Sequence, residues 1–318
     1  MDRRNFFAVV GVALIPMPLI ADGQPQAKIY RLGLLSPAPF AGLEVTSAAL
    51  RDLGYVEGQN LVVERRYAEG GLDRLPSLAR QLVQVPVDVI IAVGADAIAA
   101  AKDSTKTIPI VMGFTTDPVR QGFVASLARP VEISRALHML WDRRFRRSES
   151  NCLRKRYHAR SGLLCSVQRN WPVHQARGAA SRLGVDIVVV EVRDGDYDSA
   201  FAAIAAKRAD ALFVLGSPIL NRDRKRIIAL AAKHHLPAIY EWREHVEEGG
   251  LMAYGGEISA LYRTVATYVD RLFKGANPAD LPVEQPTTFL LAINLKTAKV
   301  LGITIPQSIL VRADHVIQ

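Results

Sequence analysis

The sequence predicts an α/β protein of two doubly wound lobes with parallel sheets, and three observations predict it. Apolar runs of strand length alternate with helical stretches of roughly 10–15 residues, which is the rhythm of βαβ units. The rhythm occurs in the first part of the chain and returns from Val185 onward, so two similar halves face one another across a cleft. The 318 residues, 49% hydrophobic and 22% charged, are enough for two folded domains of ordinary size.

In the first half, Tyr30 to Leu35 is a short apolar strand that ends in a turn at Ser36–Pro37. A helical stretch from about Phe40 to Leu53 follows, then a strand over Leu61 to Tyr67. Leu75, Leu78, Leu82 and Val83 have helical spacing. Val87 to Gly94 reads as a buried strand that opens into Ala95–Asp96–Ala97 and a small-residue helix through Ala101. Ile108 to Met112 is the next strand, leading to Thr115–Thr116–Asp117–Pro118. In the second half, Val185 to Val190, Ala211 to Leu215 and Pro237 to Tyr240 read as strands. Helices are expected over Asp198 to Arg208 and Arg222 to His234.

Residues 1–26 read as a secretion signal. Arg3–Arg4 precede an apolar run from Ala8 to Ala21, and polar Asp22–Gly23–Gln24 follow. Pro16 and Pro18 break the run, which is too short to span a membrane comfortably. Arg3–Arg4–Asn5–Phe6–Phe7 fits the twin-arginine export pattern, and it equally fits an ordinary Sec leader whose charged region holds two arginines. On either route the mature chain is expected in the periplasm.

The formal charge of +9 is local. Between Trp141 and Arg182 ten arginines and one lysine face only Asp142 and Glu149, a net of +9, and the rest of the chain is balanced. A single basic stretch is poor evidence for nucleic-acid binding, which calls for a basic face built from several elements. Cys152 and Cys165 make neither a disulfide framework nor a four-ligand zinc set. Adjacent His234 and His235 point about 100° apart on a helix and suit a solvated helix end better than a metal. No phosphate loop, nucleophile elbow or dinucleotide fingerprint is present. Glu241, Arg243, Glu244 and His245 form the densest acid–base cluster, but as a contiguous string they read as a solvated hinge segment. Neither an enzyme nor a cofactor is therefore expected.

Several strings are more specific. Gly54–Tyr55–Val56–Glu57–Gly58–Gln59–Asn60 is followed by Glu64 to Gly70 and by Asp73–Arg74–Leu75–Pro76. Later come Pro237–Ala238–Ile239–Tyr240, Gly249 to Gly255, Leu272 to Val283, Ile293 to Lys299 and Leu301–Gly302–Ile303. In this order they resemble the TrpX-like ABC transporter substrate-binding proteins, over about 29–130 and 178–318. The resemblance implies a type I periplasmic-binding architecture, with a hinge and an interlobe cleft. Lobe 1 would comprise 29–130 and 255–285, and lobe 2 would comprise 131–254 and 286–318. It further implies a monomer that binds a small solute, an aromatic amino acid or another carboxylate, and delivers it to an ABC permease in the inner membrane. A periplasmic sensing module on the same fold is the alternative, and a non-functional member with a disrupted second lobe is another.

Ligands of open α/β sheets bind beyond the carboxyl ends of the strands, where helix N-termini present free N–H groups. In lobe 1 those ends are Ser36 and Pro37, Gly94, Ala95 and Asp96, and Thr115, Thr116 and Asp117. In lobe 2 they are Gly216 and Ser217, with Glu241 and Trp242. Ser36, Thr116 and Ser217 suit helix caps as well as ligand contacts. Trp242 suits stacking on a flat ligand, or lining the hinge.

From Val131 to about Gln175 the α/β rhythm stops. The stretch is arginine-rich, holds two of the three tryptophans and both cysteines, and has no apolar run of strand length. Family members would continue with two glycines and an asparagine, a helix, and the first strand of lobe 2. Codons can be chosen for Trp141 to Arg160 so that the frame starting at the third base of the Trp141 codon reads GSEISPKRVELLKEALPRA, a well-patterned amphipathic helix. A compensated pair of frame changes, near 131 and near 175, accounts for this. The alternative is a genuine basic insertion. As written, the stretch is expected to leave lobe 2 without its first strand and with unpaired ladder groups, at roughly 1–3 kcal/mol each.

Overall fold

The computed structural model describes residues 28–39, 41–115, 118–119, 121–124, 134–138, 161–166, 186–193, 195–282 and 289–318. For 41, 134–138, 161–166 and 186–187 it describes the backbone. The leader-like residues 1–26, Thr116, Asp117, Cys152 and most of the arginine-rich stretch lie outside the described residues.

Two sheets organise the chain. The first contains β1 (Tyr30–Ser36), β2 (Leu61–Tyr67), β3 (Val89–Val93), β4 (Ile110–Thr115) and β5 (Ser134–His138), in the order β2-β1-β3-β4-β5. Every neighbouring pair in it is parallel. The second contains β6 (Ser161–Ser166), β7 (Asp186–Glu191), β8 (Ala211–Val214), β9 (Ala238–Tyr240), β10 (Met252–Gly256), β11 (Phe289–Asn294) and β12 (His315–Ile317). Its order is β12-β11-β10-β9-β8-β6-β7. Of its pairs, β10 with β11 is antiparallel and the others are parallel.

The first sheet is covered on both faces, as a parallel sheet must be. All five residues of β3 are buried, which is why its sequence is a continuous apolar run without alternation. One face packs α1 (Ala41–Asp52) and α8 (Ile258–Phe273); Leu32, Ile91 and Val111 meet Leu50, Leu261 and Val265 there. The other face packs α2 (Leu75–Val83) and α3 (Ala95–Ser104) against Leu35, Ile90 and Met112. Leu75, Ala79 and Leu82 of α2 recur at helical spacing and are all buried.

In the second lobe α4 (Tyr197–Ala206), α5 (Pro218–Arg222) and α6 (Arg224–Lys233) cover one face. The other face packs Ile239, Met252, Leu291 and Ile293 against α9 (Leu295–Val300) and the segment through Ile305. α7 (Arg243–Glu247) packs on β10 and β11, and α10 (Gln307–Leu310) lies near the C-terminus. Adjacent residues of β10 and β11 alternate between the two faces, Met252 and Ile293 to one and Ala253 and Ala292 to the other.

The antiparallel pair follows from chain path. β10 belongs to the second sheet, yet the next element, α8, packs on the first. The chain therefore leaves the second lobe along β10 and re-enters it along β11, so the two crossings run in opposite directions.

Two strands correct the sequence reading. β5 and β6 fall inside 131–175, where no strand was expected. β6 lies between β7 and β8 and pairs with both, Leu163 with Val188 and Leu212, so the ladder of the second sheet is closed at this position. The physical reason is that a strand paired on both sides takes its backbone hydrogen bonds from its neighbours. A core as short as Gly162–Leu163–Leu164–Cys165 suffices for it.

Candidate functional site

The carboxyl ends of β1, β3 and β4 in the first lobe, and of β8 and β9 in the second, carry the candidate residues. Ser36 ends β1 fully buried, and its hydroxyl donates to the Ala38 carbonyl at 2.7 Å, which fixes the turn. The buried Pro37 accepts a 2.9 Å bond from the Gly70 N–H, tying this turn to the end of β2.

Gly94 starts α3 with φ 87, a left-handed backbone that glycine tolerates and other residues rarely adopt. Gly94 has no side chain to cap this helix, and in its first turn the Asp96 carboxyl accepts a hydrogen bond from its own backbone N–H. Ala95 and Asp96 are half-buried, and burial raises the Asp96 carboxyl above the usual range for aspartate. The Thr115 hydroxyl, at the end of β4, donates to Gln121 Oε1. Thr116 and Asp117 lie outside the described residues.

In the second lobe, β8 ends before Gly216 and Ser217. The Ser217 hydroxyl accepts from the Ile219 N–H at 3.3 Å and so caps the start of α5, where Pro218 occupies the first turn. The helix expected from Arg222 is α6, which starts at Arg224, and α5 is a separate short helix before it. Gly216 donates its N–H to Glu241 Oε2 at 2.6 Å. A Cβ on Gly216 would lie 2.0 Å from that oxygen, and one on Gly255 of β10 would lie 2.1 Å from the Glu241 carbonyl oxygen. Glycine at both positions is what lets the second-lobe strands close around this residue.

Glu241 is 4% exposed, and burial pushes its carboxyl up to about 7, partly opposed by the Gly216 hydrogen bond. Trp242 is equally buried, its ring edge-on to Phe114 of β4 with centroids 5.6 Å apart. Phe114 also reaches Gly216, so one aromatic side chain of the first lobe touches two strand ends of the second. His245 stacks on Tyr240 at 4.7 Å, and its Nδ1–H donates to the Trp242 carbonyl at 3.2 Å. Burial lowers its ring to about 3, so it is neutral at ordinary pH.

The string 241–245 is therefore not the solvated segment its composition suggested. Glu241 and His245 are buried, while Arg243 faces solvent and Glu244 is half-buried. The sequence reading also missed Phe114, Gly255 and Asn221. Phe114 directly precedes Thr115, and Asn221 stands one helical turn after Ser217, so both were within reach of the strand-end rule. His234 and His235 end α6 exposed, and no group of three metal-ligating side chains occurs among the described residues.

The lobes also meet at the rim. Arg222 lies against Gly70 of the first lobe, where a Cβ would be 3.5 Å from its guanidinium. Asp223 holds that guanidinium through two bonds of 2.7 and 2.8 Å and accepts a third, of 2.8 Å, from the Tyr197 hydroxyl.

Comparison with known proteins agrees with this geometry. The family model described as "ABC transporter substrate binding protein" matches residues 39–134 and 162–317. A tyrosine-binding protein of Clostridioides difficile (strain R20291) is 23% identical over 266 residues, covering 80% of this chain and 74% of that one. A conserved domain protein from Vibrio cholerae superposes with a TM-score of 0.82 at 25% identity, over 91% of this chain and 100% of that one. The ABC domain of Streptococcus pneumoniae in complex with L-Trp superposes with a TM-score of 0.80 at 21% identity and the same coverage. This two-lobed chain belongs to the ABC transporter substrate-binding protein family.

Proposed function

We infer that the chain is an exported solute-binding protein that takes a small carboxylate-bearing molecule, an aromatic amino acid in the first instance, into the cleft between its lobes. It delivers the ligand to an ABC permease in the inner membrane. The observation that carries this reading is the meeting of strand ends from both lobes around Phe114, Gly216, Glu241 and Trp242. An aromatic wall stands beside a buried carboxyl there. The tyrosine-binding relative and the neighbour bound to L-Trp support the choice of ligand class. The leader-like residues 1–26 support export. Among the described residues no helix is long and apolar enough to cross a membrane.

A thermal-shift screen of the folded chain against amino acids and aromatic acids tests the reading. At a ligand concentration a hundred times Kd, binding stabilises by about 2.7 kcal/mol, a rise in Tm on the order of 5 °C. L-tryptophan or L-tyrosine is expected to give such a rise. Silence across the whole panel contradicts the reading.

A further inference from the structure

Besides the packing of Phe114 on Trp242, the lobes meet where the Arg222 guanidinium lies against Gly70. The two contacts differ in place. Trp242 follows Glu241, whose carbonyl lies against Gly255 of β10, so the Phe114 contact stands beside the chain crossing from β10 to α8. Gly70 follows β2, the edge strand of the first sheet, and β1 and β3 lie between β2 and β4. Three strand spacings, roughly 14 Å, therefore separate the strands that carry the two contacts. A contact that far from the crossing opposes opening of the lobes with a long lever.

Both sides of the Arg222 contact are held from within their own lobe. On the second lobe, Pro218 to Asn221 of α5 are buried, and Arg222 stands exposed at the end of this short helix. Asp223 takes its Nε and Nη2 in bonds of 2.7 and 2.8 Å, and the Tyr197 hydroxyl holds Asp223 in turn at 2.8 Å. The remaining nitrogen, Nη1, lies 3.5 Å from where a Gly70 Cβ would stand. On the first lobe, the loop after β2 is pinned to the turn after β1. The Ala68 N–H donates to the Ser36 carbonyl at 3.0 Å and the Gly70 N–H to the Pro37 carbonyl at 2.9 Å. Arg74 donates to the Ala68 carbonyl at 3.2 Å. Glu69 and Gly70 are consecutive left-handed residues, with φ of 53 and 93. That backbone is unfavourable for a glutamate and persists where the surrounding structure imposes it. The Asp223 hydrogen bonds raise the Arg222 pKa, and the charge of Glu69, across the lobe boundary, acts in the same direction. Paired with Asp223, Arg222 is a fixed donor aimed at the other lobe, not an open counter-charge for a solute carboxylate.

We propose that Arg222 is a latch on the rim of the cleft: oriented by Asp223, it holds the Glu69–Gly70 loop of the first lobe and favours the closed arrangement of the lobes, with or without solute. It acts as a positioning residue, through the lobes and not through contact with the ligand. The proposal rests on the solute-binding reading above for its consequence, a longer dwell time of bound solute.

Small-angle scattering of the folded chain without solute tests the latch alone. R222A is expected to have a larger radius of gyration than the unmodified chain, because its lobes part more often. Stopped-flow release of L-tryptophan or L-tyrosine gives a second readout. In R222A the release rate is expected to rise about two- to fivefold with the association rate unchanged, the size that one exposed charged contact supplies. A radius of gyration equal to that of the unmodified chain, or an unchanged release rate, overturns the latch and leaves the solute-binding reading standing. If the folded chain binds neither amino acid, the solute-binding reading fails, and the scattering comparison alone decides the latch.

Discussion

A carboxyl that is 4% exposed and holds a single amide hydrogen bond makes stability depend on pH, and the sign can be worked out for Glu241. Its folded value is about 7 against an ordinary 4.5. The folded state therefore binds the proton more tightly, a contribution fully present below 4.5 and lost as pH rises toward 7. The shift corresponds to about 3 kcal/mol. His245, lowered from 6.5 to about 3, acts in the opposite sense: its contribution is present above 6.5 and lost as pH falls. Comparing the unliganded chain with E241Q isolates the first effect. In denaturant titrations the stability difference should move in favour of E241Q by about 3 kcal/mol as pH rises from 4.5 to 7. A difference that does not vary with pH contradicts the buried-carboxyl account. The glycines that surround this residue are equally testable. Gly255→Ala places a Cβ 2.1 Å from the Glu241 carbonyl oxygen and should cost about 3 kcal/mol or more. Gly275→Ala has open space and only an unfavourable φ, and should cost about 1 kcal/mol. Equal losses in the two variants would show that the overlap is relieved by a shift of the strand.

At the level of elements, α8 determines how the lobes are joined, because it sits on the first sheet between two strands of the second. Its buried stripe, Ile258, Leu261, Tyr262, Val265, Val269 and Leu272, packs opposite α1 and the first sheet. Leu50→Ala in α1 opens a cavity in that layer and should destabilise by about 2–5 kcal/mol. Val300→Ala, on a side chain 76% exposed, should change stability by less than about 0.5 kcal/mol. Much of this architecture was legible in the sequence. The strand ends at Ser36, Gly94, Thr115 and Gly216 are marked by turn and cap residues, and the runs at 61–67 and 75–83 match β2 and α2 residue for residue. The burial of Glu241 and His245 was not legible. It depends on β10, which arrives from a later part of the chain, and on glycines whose significance is the space they leave. β5 and β6 were missed because their environment is set by neighbouring strands, while the local sequence is flanked by serine and arginine.

Across the whole molecule, the family match and the charge distribution point to the same interval. The match stops at 134 and resumes at 162, leaving 135–161 unmatched, and this interval holds most of the arginine excess. It is narrower than the 131–175 suggested by loss of the α/β rhythm, because the match already includes most of β6. The compensated frame change predicts that codons 141–160, read from the third base of the Trp141 codon, give the amphipathic helix GSEISPKRVELLKEALPRA. A gene sequence in which that frame contains a stop or an unpatterned peptide identifies the stretch as a true insertion. The paired β6 shows how a second sheet is completed with either origin. The central claim is that two lobes meet around one ligand. Titration calorimetry of L-tryptophan and L-tyrosine into the folded chain tests it most directly. The account predicts saturable binding of at least one of them with a stoichiometry of one ligand per chain. Absence of saturable heat with both, from a chain shown to be folded, would contradict it.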